Sequence, residues 1–533
     1  TVALWAPRLT GPLDLRYDAG VYYTLGTSLA EGHGYRLLNE PGKPEAVQYP
    51  PLLPMVVAGH QWLVGSRDPA IVGHALRLTY AALFFVYGLA VYVFGRRWLS
   101  PGWAMIVTLL VVLNLQLIWL SDALFAELPF ACVTILFLLV GERDEQRGLT
   151  AILGGAAYLL RASGIGLLVA WVVDALWQRR FLEAGLRAML AALPVLVWQA
   201  YVSEVQNGPA YVAPAYAYQR APSQFSNVTY AANLAFVDPF VPERGLATTG
   251  DLVQRAVANA WAVPETLGES ISVRAEGPLH PVFRFQEPTE EAAPTSAPRT
   301  LAISRFGFAL VGLVAAAGIG LLVADGILLT PLVWAVSLAL TLVTPWPSQL
   351  GRYLMPLAPI TAVGLVIVMA NATRLAHGAV QAATGAAVGI LLTAEVLVLG
   401  TVFMARHQSA TAAATAASQR LFFYGPDWRS HDAALAWVAH TTRPDAVVAT
   451  STPHRLHLMS GLRSILPPLE ADPARADRLL AAVPVDYLIV DHLDFAAVLR
   501  RYAENVVTAA PEHWRLVYGD AGGGSSVYRR TQR

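Results

Sequence analysis

Apolar residues run along this chain in blocks close to the ~20 residues that an α-helix needs to cross a bilayer. The blocks cover about 71–95, 104–120, 123–140, 185–204, 305–324, 327–345, 353–370 and 379–404. The stretch 149–178 is one long helix or two short ones, interrupted at Arg161-Ala-Ser-Gly164. Pro51–Gly65 is apolar but short, and reads as a helix lying near the membrane interface. Thr1–Pro7 is too short for a span and reads as the end of a first transmembrane helix that begins upstream. From Leu301 to Met404 only Arg305, Asp325, Arg352, Arg374 and Glu395 are charged, whereas after Arg420 the charge density becomes that of a soluble domain. The pattern therefore predicts a transmembrane domain over 1–404, a linker over 405–420 and a further domain over 421–533.

That last region alternates helix-like and strand-like pieces. Ala446–Thr450, Tyr487–Asp491, Arg515–Tyr518 and Ser526–Arg529 are strand candidates; Asp432–Ala439, Pro473–Ala482 and Phe495–Asn505 read as helices. The prediction is a small α/β domain at the end of a polytopic α-helical membrane protein. Loop 205–300 has no span of its own, and loops of that length are functional or disordered. Tyr211, Tyr216, Tyr218 and Tyr230 argue for an ordered, substrate-facing lid, with Thr289–Arg299 as a flexible piece.

Composition agrees with the pattern and narrows it. Charged residues are 14% of the chain and apolar residues 55%, against roughly 25% charged in ordinary globular proteins. Mean hydropathy is +0.47. A single cysteine, Cys132, excludes a disulfide scaffold. With 37 basic and 37 acidic residues there is no electrostatic case for nucleic acid.

Arginine placement sets the orientation, because Lys43 is the only lysine. Arg96, Arg97, Arg143, Arg147, Arg179, Arg180, Arg187 and Arg374 are expected on the cytoplasmic side. This parity requires 149–178 to cross twice and predicts about eleven spans, counting the truncated first. Loops 8–50, 121–122, 205–300 and 346–352, with the C-terminal domain, then face away from the cytoplasm.

The candidate chemistry gathers on that outer side. Asp18 stands just beyond a membrane exit, with Tyr22 one helical turn later. A carboxylate there can take a proton from an acceptor hydroxyl; it can equally be a helix N-terminal acid or a partner of Arg16. Asp122 and Glu127 open a span on the same side, where acids are costly and usually face a cavity. Asp122 can also be only a helix cap, but Glu127 lies about a turn deeper. Arg161 and Arg352 sit at outer edges, where the guanidinium fork suits a phosphate; for both the plain alternative is snorkelling to the interface. His454 and His457 lack an acid or cysteine to complete a metal site and read as surface residues. Gly522-Gly-Gly-Ser reads as a turn, and chance suffices for the Asn227-Val-Thr229 triplet.

Taken in order, Arg16-Tyr-Asp-x-x-x-Tyr22, Glu31-Gly-His-Gly-Tyr35, Tyr49-Pro-Pro-Leu52, Ser121-Asp-x-x-x-x-Glu-x-Pro129 and Gly351-Arg-Tyr-Leu-Met-Pro356 resemble the motifs of GT-C glycosyltransferases. The likeness is to bacterial members similar to protein O-mannosyltransferases and the aminoarabinose transferase of lipid A. It spans roughly 8–405. It implies a polyprenyl-phosphate sugar donor, an extracytoplasmic active site and a bacterial inner-membrane location. Carried over by resemblance, Asp18 is the catalytic base, with Asp122 and Glu127 near the reaction centre. Arg352 and Tyr353 would hold the donor phosphate, with Arg161 as a looser counterpart. Aminoarabinose transferases have a lysine before the Pro-Pro pair, where this chain has Gln48-Tyr49; His33, Arg16 or Arg36 could substitute, and Tyr22 and Tyr49 join the substrate-binding candidates. A divalent metal is possible and is not assigned by the motifs.

The function expected is inverting transfer of a sugar to an envelope glycan, lipid or protein acceptor. Two other classes compete with it. A non-catalytic scaffold subunit would have no reason to keep Asp18 and Glu127 at a membrane edge. A transporter of lipid-linked sugar predicts inverted repeats and acids deep in the spans, and neither is present.

Overall fold

The computed structural model describes residues 2–141, 144–273, 299–375, 378–412, 421–519 and 523–531. Five described helices are long and apolar enough to cross a membrane: Pro69–Gly95, Phe181–Asn207, Arg305–Ala324, Pro347–Leu375 (with a 3-10 turn at Met355–Leu357) and Ala379–Met404. Six shorter apolar helices pack among them. The polytopic helical architecture and its membrane setting are thus as expected, while the eleven-span count does not follow from these helices alone.

Differences from the expected spans have local causes. The block 104–120 is two helices, Pro101–Val112 and Leu115–Leu120. Asn114 separates them, its side chain accepting from the backbone N–H of Gln116 and Leu117 and so capping the second helix. The stretch 149–178 is also two helices, Arg147–Leu160 and Ile165–Trp177. Arg161 between them is extended, with φ −149° and ψ 135°. The helix that starts at Ala379 runs on to Ala412, past the expected boundary at 404; 413–420 lie outside the described residues. Pro51–Gly65 forms the short helix Leu52–Val64, with Trp62 and Leu63 exposed.

Small residues bring helices together where lipid gives no hydrophobic drive for association. A Cβ on Gly318 would collide with the carbonyl of Gly364, so the helices Arg299–Ala324 and Ala358–Leu375 touch backbone to backbone. Loop 205–300 contains the helix Thr249–Glu269, closed at its start by a Thr248/Asp251 capping box. The piece 289–298, expected to be flexible, lies outside the described residues.

The C-terminal region is an α/β domain with a five-stranded sheet. Its strands are β1 (Val447–Ala449), β2 (Arg463–Ile465), β3 (Val485–Val490), β4 (Trp514–Gly519) and β5 (Ser526–Arg530). Their order is β2-β1-β3-β5-β4, the first three parallel and β5 antiparallel to both neighbours. Strand β2 was not among the strand candidates, because three residues opening on the exposed Arg463 carry no alternation to detect. From β1 the chain crosses to β2 on one side and then to β3 on the other, so the topology switches direction between β1 and β3. One apolar core joins this domain to the membrane helices: Phe423, Trp428, Phe495 and Leu499 cluster with Tyr22, Leu120 and Phe125.

Candidate functional site

The site begins with three consecutive residues of the first loop. Arg16 is buried against Asp14, with Nη2 2.6 Å from Oδ2. It donates to the carbonyl of Phe423 and lies 4.9 Å from the ring centre of Trp428. It therefore ties the loop to the C-terminal domain and does not line the cavity described below. This removes one reading of Asp18, since the partner of Arg16 is Asp14.

Tyr17 has φ +57°, a conformation that costs a non-glycine residue about 1–3 kcal/mol and persists only where packing holds it. Its ring is wedged between Trp428 and Phe495, at centroid distances of 5.2 and 4.9 Å, and Trp428 Nε1–H donates to its hydroxyl at 3.2 Å. The strained residue aims Asp18, the first residue of the helix Asp18–Ala30. Gly20 brings this helix against the other domain, since a Cβ there would stand 3.0 Å from that of His454.

Asp18 meets two partners. Arg352 Nη1 lies 2.8 Å from Oδ2, and the Tyr49 hydroxyl donates to Oδ1 at 3.3 Å. The same Arg352 also binds Glu127 Oε1, which takes Arg161 as well. Two acids and two arginines thus form one chain, Asp18–Arg352–Glu127–Arg161, with no net charge. Its ends differ from its middle: the Asp18 side chain is 29% exposed, that of Glu127 only 1%. Arg161 reaches this chain because its extended backbone breaks the helix there. At the other end of the helix that Glu127 begins, Arg97 donates to the carbonyls of Leu138 and Leu139. Glu127 and Arg97, one of the arginines expected on the cytoplasmic side, therefore occupy opposite ends of that helix.

Asp18, Arg161 and Arg352 open into a cavity of about 170 Å3, with Tyr22, Tyr49 and Tyr353 beside them. Burial and the neighbouring Asp18 carboxylate raise the Tyr49 hydroxyl well above its ordinary value, so it stays a donor. The C-terminal domain supplies the remaining wall through Ser451–Arg455, just after β1, and through Phe495 and Leu499, just after β3. The cavity thus lies outside the carboxyl ends of parallel strands at a switch in their order, where α/β domains bind ligands.

The sequence candidates divide. Asp18, Tyr22, Tyr49, Arg161, Arg352 and Tyr353 come together around the cavity. Glu127 stands behind them as the shared carboxylate of both arginines. Asp122, expected near the reaction centre, is instead closed between Arg8 and Arg77, at 2.9 and 2.5 Å, and does not line the cavity. Nor does it cap a helix: its carbonyl accepts from Asp14 N–H in a short bridge between the two loops. His33 is half-exposed beside Glu31 and also lies outside the cavity lining. Arg36 pairs with Glu45.

His454, read as a surface residue, is buried and lines the cavity, its ring pushed down to a pKa of about 3 by that burial. Tyr17, Tyr230, Gln349 and Arg455 border the cavity too, and no motif marked the last three. Tyr230 was legible only as one of several loop tyrosines. Asn227, within the Asn-Val-Thr triplet, is buried and donates to Glu40 at 2.9 Å, so it is a core hydrogen-bonding residue. Among the described residues no three His, Cys, Asp or Glu side chains group as metal ligands, and the acids of the site are already held by arginines, so the residues present do not make a cation site.

No known protein family matches the sequence. No curated protein matches it closely enough to count as a relative. Its structure does match solved ones. The apo oligosaccharyltransferase of Archaeoglobus fulgidus superposes with a TM-score of 0.51 at 15% identity, over 100% of this chain and 74% of that one. The same archaeal enzyme, AglB, bound to an inhibitory peptide and a dolichol-phosphate, superposes at 0.50 and 14% identity, over 98% and 71%. ArnT of Cupriavidus metallidurans bound to undecaprenyl phosphate gives 0.49 at 14% identity, over 99% and 96%. The chain has the GT-C fold, extending over nearly its whole length.

Proposed function

We propose that this protein is an integral-membrane glycosyltransferase. It moves a sugar from a polyprenyl-phosphate donor to an acceptor hydroxyl, on the extracytoplasmic face of a bacterial inner membrane. The reading is carried by one observation: Asp18 is the only carboxylate lining the cavity among the described residues, and it sits 2.8 Å from a buried arginine. A base and a phosphate ligand side by side are what displacement of a lipid phosphate requires. The dolichol-phosphate bound by the archaeal neighbour is a lipid of the proposed donor class.

In this reading the donor phosphate takes the outward donors of Arg352 and Arg161, while Glu127 keeps both guanidinium planes oriented. Arg352 turning toward phosphate releases the Asp18 carboxylate. Asp18 then accepts the proton of the acceptor hydroxyl as its oxygen attacks the anomeric carbon. The bond from that carbon to the phosphate oxygen breaks, polyprenyl phosphate leaves with the electron pair, and the configuration inverts. Tyr353, whose ring centre lies 5.7 Å from the Arg161 guanidinium, braces that arginine.

The test uses purified protein in detergent with a panel of polyprenyl-phosphate hexoses, scoring release of polyprenyl phosphate. The wild type should release it and Asp18→Asn should not. Near-normal release by the variant would sink the assignment of Asp18. Binding of the lipid without release under any acceptor would favour a scaffold subunit instead.

A further inference from the structure

The polar atoms that border the cavity fall into two kinds. The charged ones are already matched: Arg352 and Arg161 on Glu127 and Asp18, Arg455 on Asp432. Among the described residues, several of the neutral ones are not. Gln349 is buried with neither its amide oxygen nor its amide nitrogen hydrogen-bonded. Gln48 spends its N–H on Asn233 at 3.0 Å and leaves its oxygen without a partner. Trp346 Nε1, Ser451 Oγ and His454 Nδ1 are buried and unpartnered as well. All five residues line the same cavity. Buried polar groups are nearly always paired, so a cluster of exceptions around one cavity needs a cause.

These groups abut the proposed reaction centre. Gln349 precedes Arg352 by one helical turn, and Gln48 precedes Tyr49, whose hydroxyl reaches Asp18. Aromatic rings stand among them: Phe225 lies 4.4 Å from Phe240 and 5.8 Å from Trp346, centre to centre. Two amides, an indole N–H, a hydroxyl and an imidazole offer donors and acceptors without charge. Flat apolar rings beside neutral hydrogen-bonding groups match a pyranose, which has C–H faces and hydroxyl edges. The five neutral groups themselves offer an ammonium or carboxylate on the sugar no countercharge, and burying such a charge unpaired is costly.

We infer that Gln48, Trp346, Gln349, Ser451 and His454 form a subsite for a neutral hexose, the sugar carried by the lipid donor. The inference rests on the donor class proposed above and adds which sugars that donor bears. It excludes amino sugars and uronic acids as preferred cargo. The subsite is assembled from both domains, so sugar recognition depends on their docking at Gly20 and Arg16.

Binding to the full-length protein in detergent tests this, using three probes: bare polyprenyl phosphate, a polyprenyl-phosphate neutral hexose, and a polyprenyl-phosphate aminopentose. The wild type should bind the hexosyl lipid on the order of tenfold more tightly than the bare lipid, an increment worth one or two neutral hydrogen bonds. The aminopentosyl lipid should gain none. Gln349→Leu should bring hexosyl binding down to that of the bare lipid and leave bare-lipid binding within about twofold. A wild type that binds bare and hexosyl lipids equally overturns the subsite while leaving the donor assignment standing. So does a Gln349→Leu protein that loses both lipids alike, or a wild type that prefers the aminopentose. A wild type that binds none of the three overturns the donor assignment and this inference with it.

Discussion

Two clusters of arginine and carboxylate lie at the same end of the helical bundle, and they differ in one respect. Around Asp122, two arginines close on one acid, and the acid is 2% exposed. Around Glu127, two arginines also close on one acid, but Arg352 continues to a second, Asp18, which opens into the cavity. A carboxylate at a membrane edge therefore does not identify chemistry by itself. The closed cluster joins Arg8, Arg77 and the loop before the helix Glu127–Gly141. The open one keeps part of a carboxylate accessible beside a guanidinium. The cost of burying charge is met in both by pairing; only the second leaves a group able to change partners.

The comparison breaks most sharply at the two aspartates. Asp18→Asn should lower turnover by about 10²–10⁴-fold, the usual range for loss of a general base, with thermal unfolding little changed. Asp122→Asn should do the reverse. It leaves two buried guanidinium groups without a countercharge, at a cost of about 3–5 kcal/mol. The expected result is a large drop in the unfolding midpoint in detergent, with normal turnover per folded molecule. Equal loss of turnover in both variants, at matched folded fraction, would erase the distinction between the clusters.

A second difference is acid sensitivity. The wall of the open cluster contains His454, held near a pKa of 3 by burial, against about 6.5 when unfolded. A basic group whose pKa is depressed by folding leaves the folded state with fewer protons. Its contribution to stability is therefore complete above pH 6.5 and falls as the pH drops toward 3. Between pH 6.5 and 5 the loss should approach ~2 kcal/mol. His454→Gln should flatten that slope, leaving the part due to His431 and His457, which burial also lowers. Measuring the unfolding midpoint at pH 7 and pH 5 for both proteins checks it. An unchanged slope would mean that His454 is solvated, not part of a buried wall.

How much of this was legible in the sequence depends on which signal each residue carries. The five long apolar helices follow from apolar runs, and the break at Arg161 from a charge inside one, so these were readable. Asn114 was not, because an internal cap looks like any other polar residue until its side chain is seen on Gln116 and Leu117. Asp18, Arg352 and Tyr353 lie in short motifs whose order carries information. Asp122 lies in such a motif too, yet it does not line the cavity, and only three-dimensional packing reveals that Arg8 and Arg77 close over it. Gln349 and His454 were invisible for the opposite reason. Each is an ordinary residue on its own, and its significance arises from a cavity between two domains far apart in the chain.

The smallest predicted effect separates the two arginines of the open cluster. Arg352 is held by both Asp18 and Glu127, whereas Arg161 has Glu127 alone among the carboxylates of the described residues and is the more exposed, at 15% against 9% for the side chain. Arg161 thus has donors to spare for a ligand before anything moves, while Arg352 must release Asp18 first. Arg161→Lys keeps the charge next to Glu127 but replaces the planar fork with a point charge. It should raise the KM for the lipid donor several-fold, ~1 kcal/mol, and leave kcat within about twofold. Arg352→Lys should instead depress kcat, since the lysine would loosen the coupling between phosphate binding and release of the base. If both variants moved KM and kcat together, the two arginines would be one undivided phosphate clamp, and Asp18 would need another way to be freed.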